Sequence, residues 1–242
     1  MVGLRQFGSG QKGLISIGLL SSVARNLLPA ASEKLSEKFP EIELDILEIA
    51  PKEAIDLLYG RQLSVAVLAE DSIAKSILSF SKTNLFEDPY VLAVPKSVSL
   101  ENIKSLEDLK NSPIRKALSN IIQFEFGNQH KKRIEEWFTS VLPNSKVFAK
   151  TRTYEVALSM VQSGRGVAVI PALAARLSGK LDFDVNLYRT NLPVRKIVSL
   201  IPSQYIRVEP YKSFIAALSD SGNNIKLPKI HKVPPILESL SL

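Results

Sequence analysis

The sequence predicts an α/β protein built as two similar halves, each a sheet with covering helices, joined by two crossovers. Two observations carry this expectation. Residues 13–68 read strand, helix, strand, helix, strand, the order that gives a parallel sheet packed under helices. A second αβ series follows from residue 121, with the changeovers near Pro95 and Ile197.

The elements follow in order. Residues 13–20 alternate Leu14, Ser16, Gly18 with Ile15, Ile17, Leu19, the period of a strand. Arg5 and Lys12 ahead of this run, and Ser22-Val23-Ala24 after it, have the look of a secretory leader, but the β-like alternation and the Arg25 that follows favour a first core strand. Leu28, Ala31, Leu35 and Phe39 then fall on one face of a 3.6-residue period, with Ser21 or Ser22 available as the cap and Pro40 as the stop. Ile42, Leu44 and Ile46 make a strand with one buried face, and Pro51 opens a short helix that Gly60 ends. Residues 63–68 are apolar apart from Ser64, as a strand buried on both faces would be.

Residues 85–94 read as one strand ending at Pro95. Residues 96–111 carry a weak helical period that Pro113 breaks. In the second half, 121–126 is a strand, Ile134, Trp137 and Val141 line a helix, and 145–152 is a strand. Ala157, Met160, Val161 and Gly164 give a further helical face, and 167–170 is a short buried strand. Residues 185–188 form another strand, Val194, Lys196, Val198 and Leu200 alternate through a long one, and Val208, Tyr211, Ile215 and Leu218 form the last helix. Beyond Ser219 the Gly, Asn and Pro content is that of a loop.

Composition narrows the chemistry. The 242 residues include no cysteine and two histidines, His130 and His231, so disulfides, thiolate metal sites and cysteine nucleophiles are excluded. No carboxylate pair, phosphate loop or metal-spaced cluster stands out, and neither a metal nor a cofactor is expected. No apolar run reaches the ~20 residues of a membrane span. The net charge of +7 would suit an anionic partner, but the Lys and Arg are scattered, with Lys131-Lys132-Arg133 the densest group. His130 reads as a surface residue at a helix start.

The order of short motifs resembles a known family. Gly13-Leu14-Ile15-Ser16-Ile17-Gly18, Leu27-Leu28-Pro29 and Phe39-Pro40-Glu41-Ile42-Glu43-Leu44 are similar to the opening of the effector-binding domain of LysR-type transcriptional regulators. Leu57-Leu58-Tyr59-Gly60 with Leu63-Ser64-Val65-Ala66-Val67, Pro89-Tyr90-Val91-Leu92-Ala93-Val94-Pro95, Leu106-Glu107-Asp108-Leu109, and the block from Val161 to Pro171 continue the likeness through Leu218. The resemblance implies a type 2 periplasmic-binding-protein-like fold: two Rossmann-like lobes with two hinge crossovers and a small-molecule effector between them. The expected division is a linker remnant at 1–12, lobe I at 13–95 plus 198–220, lobe II at 96–197, and a tail at 221–242.

The family's DNA-reading helix-turn-helix has no counterpart in these residues, so DNA would be a partner only through a part not in this chain. The resemblance further implies a cytoplasmic homodimer or homotetramer, associating through the helix at 22–39 and its neighbouring strand, and no enzyme. Two departures stand out. Ser64 replaces the family's usual Asp, and Leu68-Ala69 stands where many members carry an Arg, so a guanidinium clamp on a carboxylate effector is lost.

In doubly wound sheets ligands settle at the carboxyl ends of strands, where helix N-termini offer unpaired N–H groups. The candidates there are Ser21, Ser22, Ala50 and Ala69 in the first half, and Gln123, Gly127, Asn128, Thr153, Tyr154 and Val169 in the second. Each has a plainer reading. One serine can cap the helix while the other binds, Gly127-Asn128 can be an ordinary polar turn, and Thr153 can cap its helix as well as bind. Tyr154 is either a ligand wall or a surface tyrosine, and Val169 belongs to an apolar pocket wall. The leading expectation is a ligand-sensing regulatory domain. The alternative is a free-standing solute-binding protein for a transporter.

Overall fold

Residues 12–73, 79–105, 109, 112–125, 128–177, 180–181 and 183–238 are described by the computed structural model. In chain order the elements are β1 (Lys12–Leu19), α1 (Ser21–Lys38), β2 (Glu41–Glu48), α2 (Pro51–Tyr59), β3 (Val65–Ala69), β4 (Phe80–Asp88), β5 (Tyr90–Pro95), α3 (Pro113–Leu118), β6 (Asn120–Phe124), α4 (Asn128–Val141), β7 (Lys146–Thr151), α5 (Tyr154–Gln162), β8 (Ala168–Pro171), β9 (Arg176–Leu177), β10 (Lys180–Leu181), β11 (Val185–Arg189), β12 (Arg195–Pro202), α6 (Tyr211–Asn223) and α7 (Pro235–Glu238). The chain divides into two compact units, Met1–Glu87 with Arg195–Lys226, and Asp88–Val194 with Leu227–Leu242. Of the expected linker at 1–12, only Lys12 is among the described residues, where it opens β1.

Unit 1 is a five-stranded sheet in the order β2-β1-β3-β12-β4. Strand β1 runs parallel to β2 and β3, while β12 is antiparallel to β3. Alternation sorts the side chains onto two faces. Ile15, Ile17 and Leu19 of β1, Val65 and Val67 of β3, and Ile197 and Ile201 of β12 face α1 and α6 and share a core with Leu27, Leu35, Phe214 and Leu218. The opposite face, with Ala66, Leu68 and Leu200, takes Ala54 and Leu58 of α2. Residue 18 falls on this second face, where a Cβ would come within 2.5 Å of the Leu63 side chain and glycine leaves room for it. Strand β12 is buried at all but Lys196, so the expected alternation through Val194, Lys196, Val198 and Leu200 gives way to burial on both faces.

Unit 2 has a three-stranded sheet, β11-β5-β8, and the parallel pair β6-β7. The two are stitched together at Ile121 and Val167, where Ile122 N donates to Val167 O and Val167 N to Asn120 O. Backbone contact this close requires Gly166, since a Cβ there would lie 2.5 Å from the Asn120 carbonyl oxygen. One face packs Trp137, Phe138, Leu92 and Tyr188, the other Val91, Ala157, Leu158 and Ile170. A register shift between β6 and β7 leaves Phe148 as an extra, half-exposed residue.

Several expectations change. The run 85–94 is two strands, because β4 belongs to unit 1 and β5 to unit 2, with Pro89 between them. Pro113 starts α3 rather than breaking a helix. It sits in the first turn, where its missing N–H costs nothing, and Ser112 Oγ caps by accepting from Ile114 N. The described part of 96–111 holds turns, with Leu109 in 3₁₀ conformation, and no α-helix. Gly164 leaves the expected helical face for the turn after α5, at φ +71°. The last helix begins at Tyr211 and runs through Asn223, beyond the expected stop at Ser219. Residues 227–238 are not free-standing loop. They are part of unit 2, and the chain therefore makes a third crossing at Lys226 besides those at Glu87 and Val194.

Candidate functional site

The parallel order β2-β1-β3 sets Ala50, Ser21 with Ser22, and Ala69 in a row at the carboxyl edge of the unit 1 sheet. Ile49 N donates to Leu19 O at 3.1 Å and holds the ends of β1 and β2 together. The cap of α1 differs from expectation. Its N-cap is Leu20, and no side chain bonds the first turn. Ser21 and Ser22 are inside the helix instead, one and two residues too late to cap it. The start of α1 thus keeps its partial positive charge without a side-chain acceptor. Ser22 is 1% exposed, and its Oγ has no hydrogen-bond partner among the described residues.

Ala50 is the N-cap of α2 with Pro51 after it, so this end offers backbone alone. Ala69 closes β3, and its methyl group belongs to the core beneath α1. Just beyond, Glu70 pairs with Lys82, whose hydrogen bond and charge hold the carboxyl below its usual range. Ser64, at the position where Asp was expected, bonds the phenol of Tyr211, which burial pushes up and this bond pulls back.

In unit 2 the carboxyl ends of β6 and β7 are adjacent. Glu125 N donates to Thr151 O at 2.7 Å. Thr153 is the N-cap of α5, its Oγ1 accepting from Val156 N at 3.4 Å. The hydroxyl proton of a capping threonine stays available to donate, so capping and ligand contact are compatible in one residue. Thr151, which the sequence reading did not single out, locks this turn: its Oγ1 accepts from Thr153 N and donates to Thr153 O. A Thr-x-Thr step into a helix was the available signal.

Three other unit 2 candidates, Gln123, Tyr154 and Val169, make contacts within the unit. Gln123 is buried, and its amide donates to Glu135 of α4. Tyr154 is not a surface residue. It is buried with its ring stacked on Phe124, centroids 3.8 Å apart at 16°. Val169 packs in the core with Tyr90 and Leu92. Gly127 lies outside the described residues, and Asn128 is the first residue of α4. Nearby, Glu125 sits between Lys131 at 3.0 Å and Lys150 at 3.2 Å, and their hydrogen bonds hold its carboxyl below the usual range.

A shallow recess in unit 2, lined by Leu109, Arg115, Leu118, Ser119, Leu142, Asn144 and Ser145, contains none of these residues. It borders the amino ends of β6 and β7, the wrong end of a parallel pair for a ligand. Among the described residues no group of His, Asp and Glu could hold a metal ion.

Two α/β units whose parallel strands feed helix N-termini define a binding protein of the type 2 periplasmic-binding-protein-like class. The family described as LysR substrate binding domain matches residues 8–222, and the chain belongs to it. This is a family of effector-binding regulatory domains, not of enzymes or transporter components, which overturns the solute-binding alternative. Among curated relatives, the Escherichia coli K12 DNA-binding transcriptional dual regulator OxyR is 24% identical over 198 residues, 81% of this chain and 62% of that protein. The malonate utilization transcriptional regulator of Klebsiella pneumoniae is 26% identical over 200 residues, 82% and 62%. The chain thus spans 62% of the length of these relatives. Among solved structures, the effector-binding domain of QuiR in complex with shikimate aligns at a TM-score of 0.64 with 16% identity, covering 88% of this chain and 98% of that one. Reduced OxyR from N. meningitidis aligns at 0.63 with 21% identity, covering 87% and 96%.

Proposed function

We propose that this chain is the sensing part of a LysR-type transcriptional regulator, which reads DNA through a region outside it, and that a small polar molecule is the signal. The observation that carries this reading is the start of α1, an 18-residue helix whose first turn no side chain caps, in a domain of a family that binds effectors. Acceptor oxygens of a ligand suit that helix start. With no Arg at Leu68-Ala69, the favoured ligand is one recognised by hydrogen bonds rather than clamped by a guanidinium. We assign Ser21, Ser22, Ala50 and Ala69 in unit 1, and Thr153 with Gly127 and Asn128 in unit 2, as its contacts, while Gln123, Tyr154 and Val169 shape the backbone around them.

The free energy available for signalling is the difference in ligand affinity between conformational states. Peroxide sensing by thiol oxidation is closed to a chain with no cysteine, although relatives are hydrogen peroxide-inducible activators. Isothermal calorimetry against a metabolite panel tests the reading. One ligand whose affinity falls about fivefold in Ser21→Ala and in Thr153→Val is the expected result, each lost hydrogen bond being worth roughly 1 kcal/mol. A ligand indifferent to both variants sinks the site.

Self-association belongs to the same proposal. Strand β2 is a sheet edge bearing Glu41, Glu43, Asp45 and Glu48, with Ile46 48% exposed. Strand β7 is also an edge, and it bears Lys146, Lys150 and the half-exposed Phe148. Edges of opposite charge favour pairing between copies over pairing of like with like. We infer a homodimer, in the cytoplasm, in which α1 and β2 of one copy meet the β7 side of another.

A further inference from the structure

The recess that Arg115 lines lies wholly within unit 2, at the end of β6 and β7 opposite to Thr153. Ligands favour the carboxyl ends of parallel strands because helix N-termini collect there with their spare N–H groups. The amino ends collect helix C-termini, so they suit the reverse polarity, a positively charged group or a hydrogen-bond donor. Here α3 ends at Leu118 and α4 at Val141, and Leu118 and Leu142 both line the recess. Helix α4 has no basic residue in its last turn to offset its partial negative charge. Two hydroxyls add to this polarity. Ser119 Oγ donates to Arg115 O at 2.6 Å, and Ser145 Oγ donates to Leu142 O at 2.6 Å. A carbonyl can only accept, so both hydroxyl protons are committed and only oxygen lone pairs are left for a ligand.

The opposite polarity stands beside it. Arg115 is exposed on the rim, and its guanidinium makes no ion pair or hydrogen bond among the described residues. It offers donors alone, in a fork that matches a carboxylate, and the exposed Asn144 amide adds a further donor on the same rim. Between these groups the buried side chains of Leu109, Leu118 and Leu142 make an apolar floor. We propose that this recess binds an apolar α-amino acid with a short side chain. The ammonium meets the serine oxygens at the helix ends, the carboxylate meets Arg115 and Asn144, and the alkyl group rests on the three leucines. Acceptors, a fork of donors and an apolar floor side by side are the complement of a zwitterion that carries an alkyl group. A simple anion would leave the serine acceptors and helix C-termini unused, and a simple amine would leave the guanidinium without a partner. The site shares no residue with the effector contacts assigned above and does not rest on that reading.

The test uses the full chain and L-valine, with isovalerate as the same skeleton lacking the ammonium and isobutylamine as the same skeleton lacking the carboxylate. Backbone amide shifts at Ser119, Asn144 and Ser145, followed by NMR through a titration, give both the place and the affinity. L-valine should move these amides, and each fragment should bind about tenfold more weakly or worse, the size of one lost charge-assisted contact. Arg115→Ala should weaken L-valine and isovalerate and leave isobutylamine unchanged. Ser145→Ala should weaken L-valine and isobutylamine and leave isovalerate unchanged, a division that a general loosening of the fold would not produce. Either fragment binding as tightly as L-valine, losses that do not divide in this way, or amides unmoved by millimolar L-valine overturn the proposal. L-valine whose affinity falls in Thr153→Val but not in Arg115→Ala is an effector at the other end of the strands. That result overturns the recess and supports the regulatory reading, so the two fail separately.

Discussion

The two units use the same strand-to-helix geometry but dress it differently. Unit 1 carries 14 Lys and Arg against 13 Asp and Glu, unit 2 carries 17 against 11, so most of the net charge of +7 belongs to unit 2. At its strand ends unit 1 presents serine, alanine and an uncapped helix start. Unit 2 places a carboxylate between two lysines there, and caps its helix with a threonine. The lesson is that a helix N-terminus is a site only to the extent that its own sequence leaves it unsatisfied. Unit 1 leaves α1 open, and unit 2 closes α5 but for one hydroxyl proton.

The difference can be broken by three measurements. The largest effect comes from the cores. Phe214→Ala in unit 1 and Trp137→Ala in unit 2 each remove a buried aromatic, costing about 3–5 kcal/mol. Trp137 also loses its bond to Asn191. If the units are separate cooperative bodies, urea denaturation followed by unit-specific hydrogen exchange shows each variant weakening its own unit first. A single shared transition in both would merge them.

A smaller effect separates the two helix starts. Thr153→Val should cost about 1 kcal/mol in thermal or urea unfolding through loss of the cap, whereas Ser21→Ala should cost close to nothing, since Ser21 caps nothing. Equal costs would contradict the contrast. The smallest concerns charge. Glu125 is held below its ordinary value by Lys131 and Lys150, so its contribution is present above the unfolded glutamate pKa of about 4.3 and is lost as pH falls through the folded value. Glu125→Gln should therefore lower the urea midpoint at pH 7 and leave it unchanged well below pH 4, with 1 M salt shrinking the difference at pH 7.

How far the sequence led can be judged from particular residues. Alternation in β1, the helical stripe of α1 and the continuous apolar run of β3 were legible, because one-sided and two-sided burial leave different periods. The run 85–94 misled because Leu85 and Phe86 lead through the short Glu87-Asp88-Pro89 step straight into the apolar β5, too brief a break to read as a change of sheet. The tail was illegible for the opposite reason. Its prolines and polar residues have a loop's composition, while its order comes from long-range contacts at Leu187, Glu101 and Ile103. At the site, the Thr153 cap could be read from residue type and place, whereas the shift of the α1 cap to Leu20 depended on backbone geometry that serine content does not encode.

The place of β12 between β3 and β4 has a consequence for how the chain is made. A ribosome releases residues 12–87 about a hundred residues before the strand that completes their sheet. At ~5–20 residues per second that is a wait of roughly 5–20 s. The second unit waits for its own last piece as well, because residues 227–238 follow the whole of unit 1 in the chain. Each half therefore waits on chain made long after its first strands, and the early strands of both must stay unpaired at an edge until that chain arrives.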